Sequence, residues 1–244
     1  MKRLLAVQHS FAEFLGALEP QFEGRGIGFQ YVRTIAGDDV AGRPTQFDSL
    51  WLLGAAHPAG DAANSPWLQD EIRLVKVFQR AGRPVVGLGV GAHVLAAAAG
   101  AALAVEPAHD ARFATAVALD RGDPLAQAVD GRRVMVMACG HCTLPQGATP
   151  VVADEAGDWI AFRTGLPGYG LLFRPELKPG MLEDMVMEED RPVPENMQAL
   201  IETARDEWDA TQETSARIAA ALVGALGMMD ERARPRVIPI SARN

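Results

Sequence analysis

The sequence predicts an α/β fold with a mostly parallel sheet that helices cover on both faces. Runs of consecutive apolar residues at 4–8, 50–53 and 84–88 are typical of strands that are buried on both faces. Segments with helical spacing of apolar residues separate these runs. Strands that alternate with helices in this way usually pair in parallel, so these two observations together predict the fold class.

The first half of the chain supplies most of the predicted parallel sheet. After the first strand, residues 11–18 carry apolar side chains at helical spacing, and Pro20 is expected to end that helix. The next elements are expected to be a strand over 28–33, a helix from an N-cap at Ser65 to about residue 80, and a helix over 91–99 after the strand at 84–88.

The second half of the chain has a different pattern of predicted elements. Between residues 101 and 173 the strand-like pieces are short and turn signals separate them, which predicts a small antiparallel extension of the same domain. These pieces lie at 115–119, 133–137, 151–153, 159–162 and 170–173. We expect one domain over 1–244, with C-terminal helices from about residue 178, a main helix over 194–226 and a loosely ordered tail at 232–244.

Composition and charge exclude several classes of function. The chain has 244 residues, 48% hydrophobic content and a formal net charge of −8. An acidic surface repels nucleic acid and anionic lipid, and no apolar run approaches the roughly 20 residues that span a bilayer. Two cysteines cannot form a disulfide framework, and the first residues do not have the pattern of a signal peptide. We therefore expect a cytoplasmic protein that binds neither nucleic acid nor membranes.

One segment carries a specific resemblance. It includes a Pro66-Trp67-Leu68 start and then Gly82-Arg83-Pro84-Val85-Val86-Gly87-Leu88-Gly89-Val90-Gly91-Ala92-His93. This segment resembles the nucleophile elbow of class I glutamine amidotransferases, of the stand-alone type related to the amidotransferase domain of GMP synthase. In such an elbow, a strand enters a sharp turn that holds the nucleophile, and a helix begins at once. The resemblance implies a flavodoxin-like three-layer sandwich.

The positions that match the family's catalytic residues are altered. Gly89 stands at the position of the nucleophilic cysteine, and glycine has no side chain with which to form a thioester. The second family signature, F-H-P-E, is here Phe173-Arg174-Pro175-Glu176. Arg174 stands at the position of the base but stays protonated, whereas Glu176 is retained. The resemblance thus implies a pseudoenzyme with vestigial triad positions Gly89, Arg174 and Glu176.

Other positions suggest that the cleft of the fold could still bind a ligand. The family's Gly-Gly-Pro turn is here Gly54-Ala55-Ala56-His57, and its W-H-x-D segment is here Met137-Ala138-Cys139-Gly140. In a fold of this kind, ligands bind at the C-terminal ends of the strands. The residues expected to bind a ligand there are Gly54, Ala55, His57, Val90, His93, Cys139 and Arg174. For Arg174, an internal ion pair with Glu176 is the alternative.

Cys139-Gly140-His141-Cys142 is a C-x-x-C motif, for which three interpretations stay open. The thiols could be ordinary loop residues. Alternatively, Cys139, His141 and Cys142 could be part of a metal site, which would need further ligands. The motif could also be a redox pair or a relocated nucleophile, although no helix is predicted to follow it.

The expected function follows from the altered triad. We expect an amidotransferase-like protein that lacks glutaminase activity, needs no cofactor, and binds a small molecule or a partner enzyme in the vestigial cleft. One alternative is an active amidotransferase or hydrolase with relocated chemistry at Cys139, His141 and Cys142. Another is an interaction subunit that docks through the long C-terminal helix, and a homodimer is among the assemblies considered.

Overall fold

A computed structural model describes residues 1–38, 46–106, 109–189 and 191–229. The strands in these ranges are β1 (Arg3–Gln8), β2 (Gly28–Arg33), β3 (Ser49–Leu52), β4 (Val85–Leu88), β5 (His109–Thr115), β6 (Val117–Ala118), β7 (Arg133–Cys139), β8 (Thr149–Ala153), β9 (Trp159–Arg163) and β10 (Gly168–Leu171). The α-helices are α1 (Glu19–Glu23), α2 (Leu68–Arg80), α3 (Val90–Ala98), α4 (Pro124–Val129), α5 (Pro179–Met187), α6 (Met197–Asp206) and α7 (Trp208–Ala225). Short 3-10 helices cover Gly16–Leu18 and Thr34–Ala36.

The main sheet has the strand order β2-β1-β3-β4-β10-β9-β8-β6. The first five strands pair in parallel, and β9, β8 and β6 continue the sheet in antiparallel pairing. Strands β5 and β7 form a separate antiparallel pair. The predicted parallel sheet with a small antiparallel extension is therefore confirmed.

Alternate residues of the central strands build two apolar cores, one on each face of the sheet. Leu4 and Ala6 of β1 pack on the face that α1, α4 and α7 cover, whereas Leu5 and Val7 pack on the face that α2 and α3 cover. Side chains alternate between the two faces of a strand, so a strand covered on both faces must be apolar at every position. This explains the uninterrupted apolar runs in the sequence.

A third apolar cluster lies apart from the sheet and holds the C-terminal helices in place. Met135 and Met137 of β7 pack there against Met181 and Met185 of α5 and against apolar residues of α6. Met187 at the end of α5 is instead 81% exposed. Arg191, Pro192 and Pro194, which follow α5, line a small cavity together with Cys139 at the carboxyl end of β7.

Several predicted boundaries are wrong, for local reasons. Pro20 lies in the first turn of α1 and so begins a helix, because proline fits the first turn, where its missing N–H is not needed. Ser65 does not cap α2, whose N-cap is Trp67, and the Ser65 hydroxyl donates to the carbonyl of Pro58. The expected helix over 194–226 is divided into α6 and α7 at Glu207. The predicted tail at 232–244 lies outside the described residues.

Helix α4 was not predicted, because its first residues look like a turn in the sequence. Asp123 is its N-cap, and the carboxylate accepts hydrogen bonds from the backbone of Leu125 and Ala126 at 2.9 and 3.2 Å. Its second oxygen accepts from the Tyr169 hydroxyl at 2.8 Å, so the buried carboxylate also joins α4 to β10.

We expect Asp123→Ala to lower the free energy of unfolding by about 1–3 kcal/mol, because it removes a helix cap and leaves the buried Tyr169 hydroxyl without its acceptor. Denaturant-induced unfolding measures the loss. Asp123→Asn keeps an oxygen at the capping position and should retain most of the stability. Equal losses for the two variants would contradict a capping role.

Candidate functional site

The turn between β4 and α3 has the geometry of a nucleophile elbow, with Gly89 at its apex. Gly89 has φ 55° and ψ −119°, and α3 begins at the next residue. Residues other than glycine rarely adopt a positive φ, so a residue with a Cβ at this position would be strained. The predicted elbow is thus present, and glycine occupies its apex without strain.

The side chain of Arg174 fills the space next to this apex. A Cβ built on Gly89 would lie 2.9 Å from Cδ and 3.0 Å from Nη1 of Arg174, and 2.8 Å from the carbonyl oxygen of Met137. A Cβ built on Gly54 would overlap the Glu13 carboxylate and the Arg174 guanidinium. The volume between the two glycines is therefore occupied by a guanidinium and a carboxylate of the protein itself.

Arg174 is the centre of a buried ion-pair network. Its Nη2 lies 2.8 Å from Oε2 of Glu13, and its Nε lies 2.5 Å from Oε1 of Glu176. Arg191 pairs with the other oxygen of Glu13 and, through Nη1, with Glu188 at 2.8 Å. All five side chains are largely shielded from water, and Arg174, Glu13 and Glu176 are almost completely buried. The predicted alternative of an internal Arg174–Glu176 ion pair is what the structure contains.

The network shifts the pKa values of its members. Burial alone would raise the pKa of Glu13, but Arg191 and Arg174 outweigh burial and lower this pKa to about 2. Burial would lower the pKa of Arg174, yet Glu176 and Glu13 raise it above the ordinary value of arginine. Burial raises the pKa of Glu176, whose Oε2 has no hydrogen-bond partner among the described residues. Arg174 is therefore a permanent cation that cannot act as a base.

Little space is left beside Arg174. The cavity there has a volume of about 20 Å³, and its walls include Ala55, Cys139, Arg174, Arg191 and Met197. A volume of this size holds about one water molecule. Arg191, Pro192 and Pro194, which follow α5, also line this cavity, so the space beside Arg174 has no room for an amino acid.

A second buried pair supports the turn that contains Gly54. His9 lies 3.0 Å from the carbonyl oxygen of Gly54 through Nδ1 and 2.7 Å from Oε1 of Glu71 through Nε2. Its ring lies 4.1 Å from that of Trp67, measured between ring centroids. Burial lowers the pKa of His9, but the charge of Glu71 and the hydrogen bonds to Glu71 and Gly54 outweigh burial, so that the pKa is raised. Both partners of the ring are acceptors, so the protonated imidazole can donate through both ring nitrogens.

A larger cavity lies on the other side of the residues at 138–140. It has a volume of about 260 Å³, and its polar walls come from His93, Asp110, Arg112, His141 and Asp158. Trp159, Ile160 and Leu172 supply apolar surface, and Ala138 lines both cavities. His93, at the end of the first turn of α3, is 2% exposed. Burial and the nearby His141 lower the pKa of His93 to about 4, so this imidazole is neutral.

The structure separates the predicted site residues. Ala55, Cys139 and Arg174 line the small cavity, and Gly54 lies against the side chains of Glu13 and Arg174. His93 lines the larger cavity. Val90 is buried in the apolar core between the sheet and α2, and His57 lines neither cavity. Among the glycines of the described ranges, Gly54 and Gly89 are the two at which an added Cβ would meet side-chain atoms of the ion-pair network.

The C-x-x-C motif does not form one site. Cys139 lines the small cavity, whereas His141 and Cys142 line the larger one. Burial raises the pKa of Cys139 to about 11 and that of Cys142 to about 12, so both thiols stay protonated at neutral pH. Among the residues that the structure describes, no three His, Cys, Asp or Glu side chains are arranged to hold a metal ion.

Several site residues have no signal in the sequence. Glu13 lies in a segment that was expected to be an ordinary helix, and Arg191 lies in an acidic connector. Asp110, Arg112 and Trp159 belong to short strands of the second half of the chain. Their role depends on the pairing of β5 with β7 and of β9 with β10, which no local pattern specifies.

Comparisons with known proteins agree with this geometry. A glutamine amidotransferase from Thermotoga maritima is 21% identical, with a TM-score of 0.74 over 91% of this chain and 98% of that one. A glutamine amidotransferase from Methylobacillus flagellatus is 17% identical, with a TM-score of 0.77 over 93% of this chain and 96% of that one. A candidate GMP synthase subunit from Thermoplasma acidophilum is 16% identical, with a TM-score of 0.51 over 86% and 98%. No family model and no curated protein matches the chain.

These likenesses show the fold. The chain has the α/β, flavodoxin-like sandwich of class I glutamine amidotransferases, as the elbow segment predicted. Within the described ranges, no helix is long and apolar enough to cross a membrane.

We expect Arg174→Met to lower the free energy of unfolding by about 3–5 kcal/mol. Glu176 would lose its arginine partner and Glu13 would lose one of its two arginine partners, while both carboxylates stay buried. Arg205→Met is the matched control, since Arg205 pairs with Glu183 on the surface and such pairs contribute about 0–1 kcal/mol. Denaturant-induced unfolding compares the two. A loss at Arg174 no larger than that at Arg205 would refute the structural role of the network.

The raised pKa of His9 predicts a specific pH dependence of stability. Its folded-state pKa exceeds the ordinary value of 6.5, so its contribution is complete below pH 6.5 and is lost as the pH rises through the folded-state pKa. Glu71→Gln removes the main partner and should move this loss to lower pH. Unfolding free energies over the pH range, together with an NMR titration of His9, measure the shift. Identical profiles for the two proteins would contradict the pairing.

Proposed function

We propose that this protein has the amidotransferase fold but does not hydrolyse glutamine through a triad, and that it binds a small molecule in the cavity beside His93. The observation that carries the proposal is the buried guanidinium of Arg174, which lies against Gly89 between Glu13 and Glu176. It occupies the space in which a nucleophile and its substrate would have to meet.

Three features argue against glutamine hydrolysis at the elbow. Gly89 has no nucleophilic atom, and Arg174 has no lone pair with which to accept a proton. The space beside them is about 20 Å³. Restoring the chemistry would thus require a nucleophile, a base and the removal of a buried ion pair.

A relocated nucleophile is not supported either. The attacking species of a cysteine enzyme is the thiolate, whose pKa is normally lowered by a nearby cation or helix N-terminus. Burial has the opposite effect on Cys139 and Cys142 and raises their pKa values to about 11 and 12. The imidazole of His141 lies at the larger cavity, apart from Cys139.

Binding is supported by the cavity that the network leaves open. The volume of about 260 Å³ combines apolar walls with a few polar groups, which is the usual composition of ligand sites. The elbow helix still supplies a residue to this cavity, His93. The fold's ability to hold a small molecule would thus be retained on the side of the cleft that Arg174 does not fill.

Association with a partner enzyme is a second candidate function. Phe11 and Met187 are 68% and 81% exposed, and they flank the contacts of Ser10 and Ala12 with Glu188. Two large apolar side chains exposed near the closed elbow are typical of a contact surface. The apolar face of α7, in contrast, is buried within this chain.

The proposal is tested by two measurements on the purified protein. Incubation with glutamine should release no ammonia or glutamate above the level of Cys139→Ser and Cys142→Ser variants, and turnover that either substitution abolishes would refute the first half. In parallel, a mixture of cationic, neutral and anionic metabolite-sized compounds is screened by ligand-observed NMR. Binding should be lost in Leu172→Trp, which fills the cavity. The absence of any cavity-dependent binder would refute the second half.

A further inference from the structure

The cavity beside His93 carries an excess of negative charge, and its chemistry selects among ligand classes. We propose that it binds a small organic cation with N–H donors, such as a primary amine or diamine. This inference rests on the proposed function, since it names the ligand class of the same cavity. Its three supports are the state of His93, the charges at the rim and the aromatic wall.

At the buried end of the cavity, His93 is a hydrogen-bond acceptor. The ring is 2% exposed, and the side chain lines the cavity. Among the described residues, no side chain is hydrogen-bonded to the ring. A neutral imidazole has one N–H donor and one nitrogen that accepts, so one nitrogen can accept from a ligand. The buried end is therefore suited to a ligand that presents an N–H group.

The rim adds carboxylates that exceed the cations. Asp110 and Asp158 line the cavity, and Asp154 lies behind Arg112. Arg112 contacts Asp110 through Nε at 2.9 Å and Asp154 through Nη2 at 2.8 Å. Of the Asp and Arg side chains that line the cavity, the carboxylates of Asp110 and Asp158 outnumber the guanidinium of Arg112 by one, and Asp154 pairs with that guanidinium from outside the lining. His141 is the other basic residue of the wall besides His93. Among the described residues, the Asp158 carboxylate has no ion-pair partner, so it is available to a ligand.

Arg112 is poorly suited to binding an anion. A guanidinium recognises a carboxylate or phosphate best through two parallel N–H donors. The Nε and Nη2 donors of Arg112 already contact Asp110 and Asp154. An anionic ligand would have to compete with both carboxylates and approach Asp158 as well.

The aromatic wall and the volume of the cavity also fit a small organic cation. Trp159 lines the cavity and is held edge-on against Phe162, with ring centroids 5.7 Å apart. Indole is the aromatic group that attracts cations most strongly. The volume of about 260 Å³ lies just below the roughly 300–1,000 Å³ of sites for drug-sized ligands, so the ligand is small.

Three four-carbon probes with different end groups test the ligand class: 1,4-diaminobutane, 1,4-butanediol and succinate. Binding is measured at pH 8 and low salt by isothermal titration calorimetry, with Trp fluorescence as a second readout. We expect the diamine to bind at least about 10-fold more tightly than either other probe, as one charge-assisted hydrogen bond predicts. Leu172→Trp should abolish its binding.

Two substitutions test which residues bind the two ends of the diamine. His93→Phe keeps the size of the ring and should weaken binding about 10-fold or more, because it removes the acceptor. Asp158→Asn should weaken binding about 2- to 5-fold, as expected for an exposed ion pair. Asp184→Asn, an exposed position on α5, makes the same charge change away from the cavity and should have no effect.

The outcomes separate this inference from the proposed function. Cavity-dependent binding of succinate or butanediol at least as tight as that of the diamine would overturn the cation assignment and leave the cavity as a ligand site. Failure of all three probes, or diamine binding that His93→Phe and Asp158→Asn do not change, would also overturn it. Glutamine turnover would refute the proposed function whichever probe binds.

Discussion

The ion pair between Arg174 and the carboxylates of Glu13 and Glu176 is the constraint on which the rest of the site depends. A guanidinium cannot be buried alone, because the cost of removing its charge from water is several kcal/mol. Two carboxylates therefore accompany it, and Arg191 balances the additional charge. Once these side chains lie between Gly54 and Gly89, the space between the two glycines is filled by the protein itself.

The network also divides the cleft. Residues at 138–140 separate the filled space beside Arg174 from the open cavity beside His93. The first space is built from ion pairs around the permanent charge of Arg174, and the second combines a neutral imidazole with carboxylates at its rim. Charges that are already paired hold a structure together, whereas charges without partners are available to a ligand. The same fold thus has a structural half and a half suited to binding.

Much of the fold could be predicted from local patterns. The apolar runs identified β1, β3 and β4, because strands covered on both faces must be apolar throughout. The elbow at Gly89 was predicted from the resemblance of its segment to that of class I glutamine amidotransferases. Helix α4 was missed because Asp123 and its proline are equally typical of a turn and of a helix start. What decides between them is the contact of Asp123 with Tyr169 on a distant strand.

The sequence by itself determined the buried parallel strands, the turn with Gly89 before a helix, and the presence of an arginine two residues before Glu176. Only the tertiary structure decided what these residues do. Glu13 lies 161 residues from Arg174 in the chain. Asp110 and Trp159 lie on strands whose pairing places them in the wall of the same cavity as His93. Burial and ion pairing depend on side chains that converge from distant segments, and no local pattern in the sequence records that convergence.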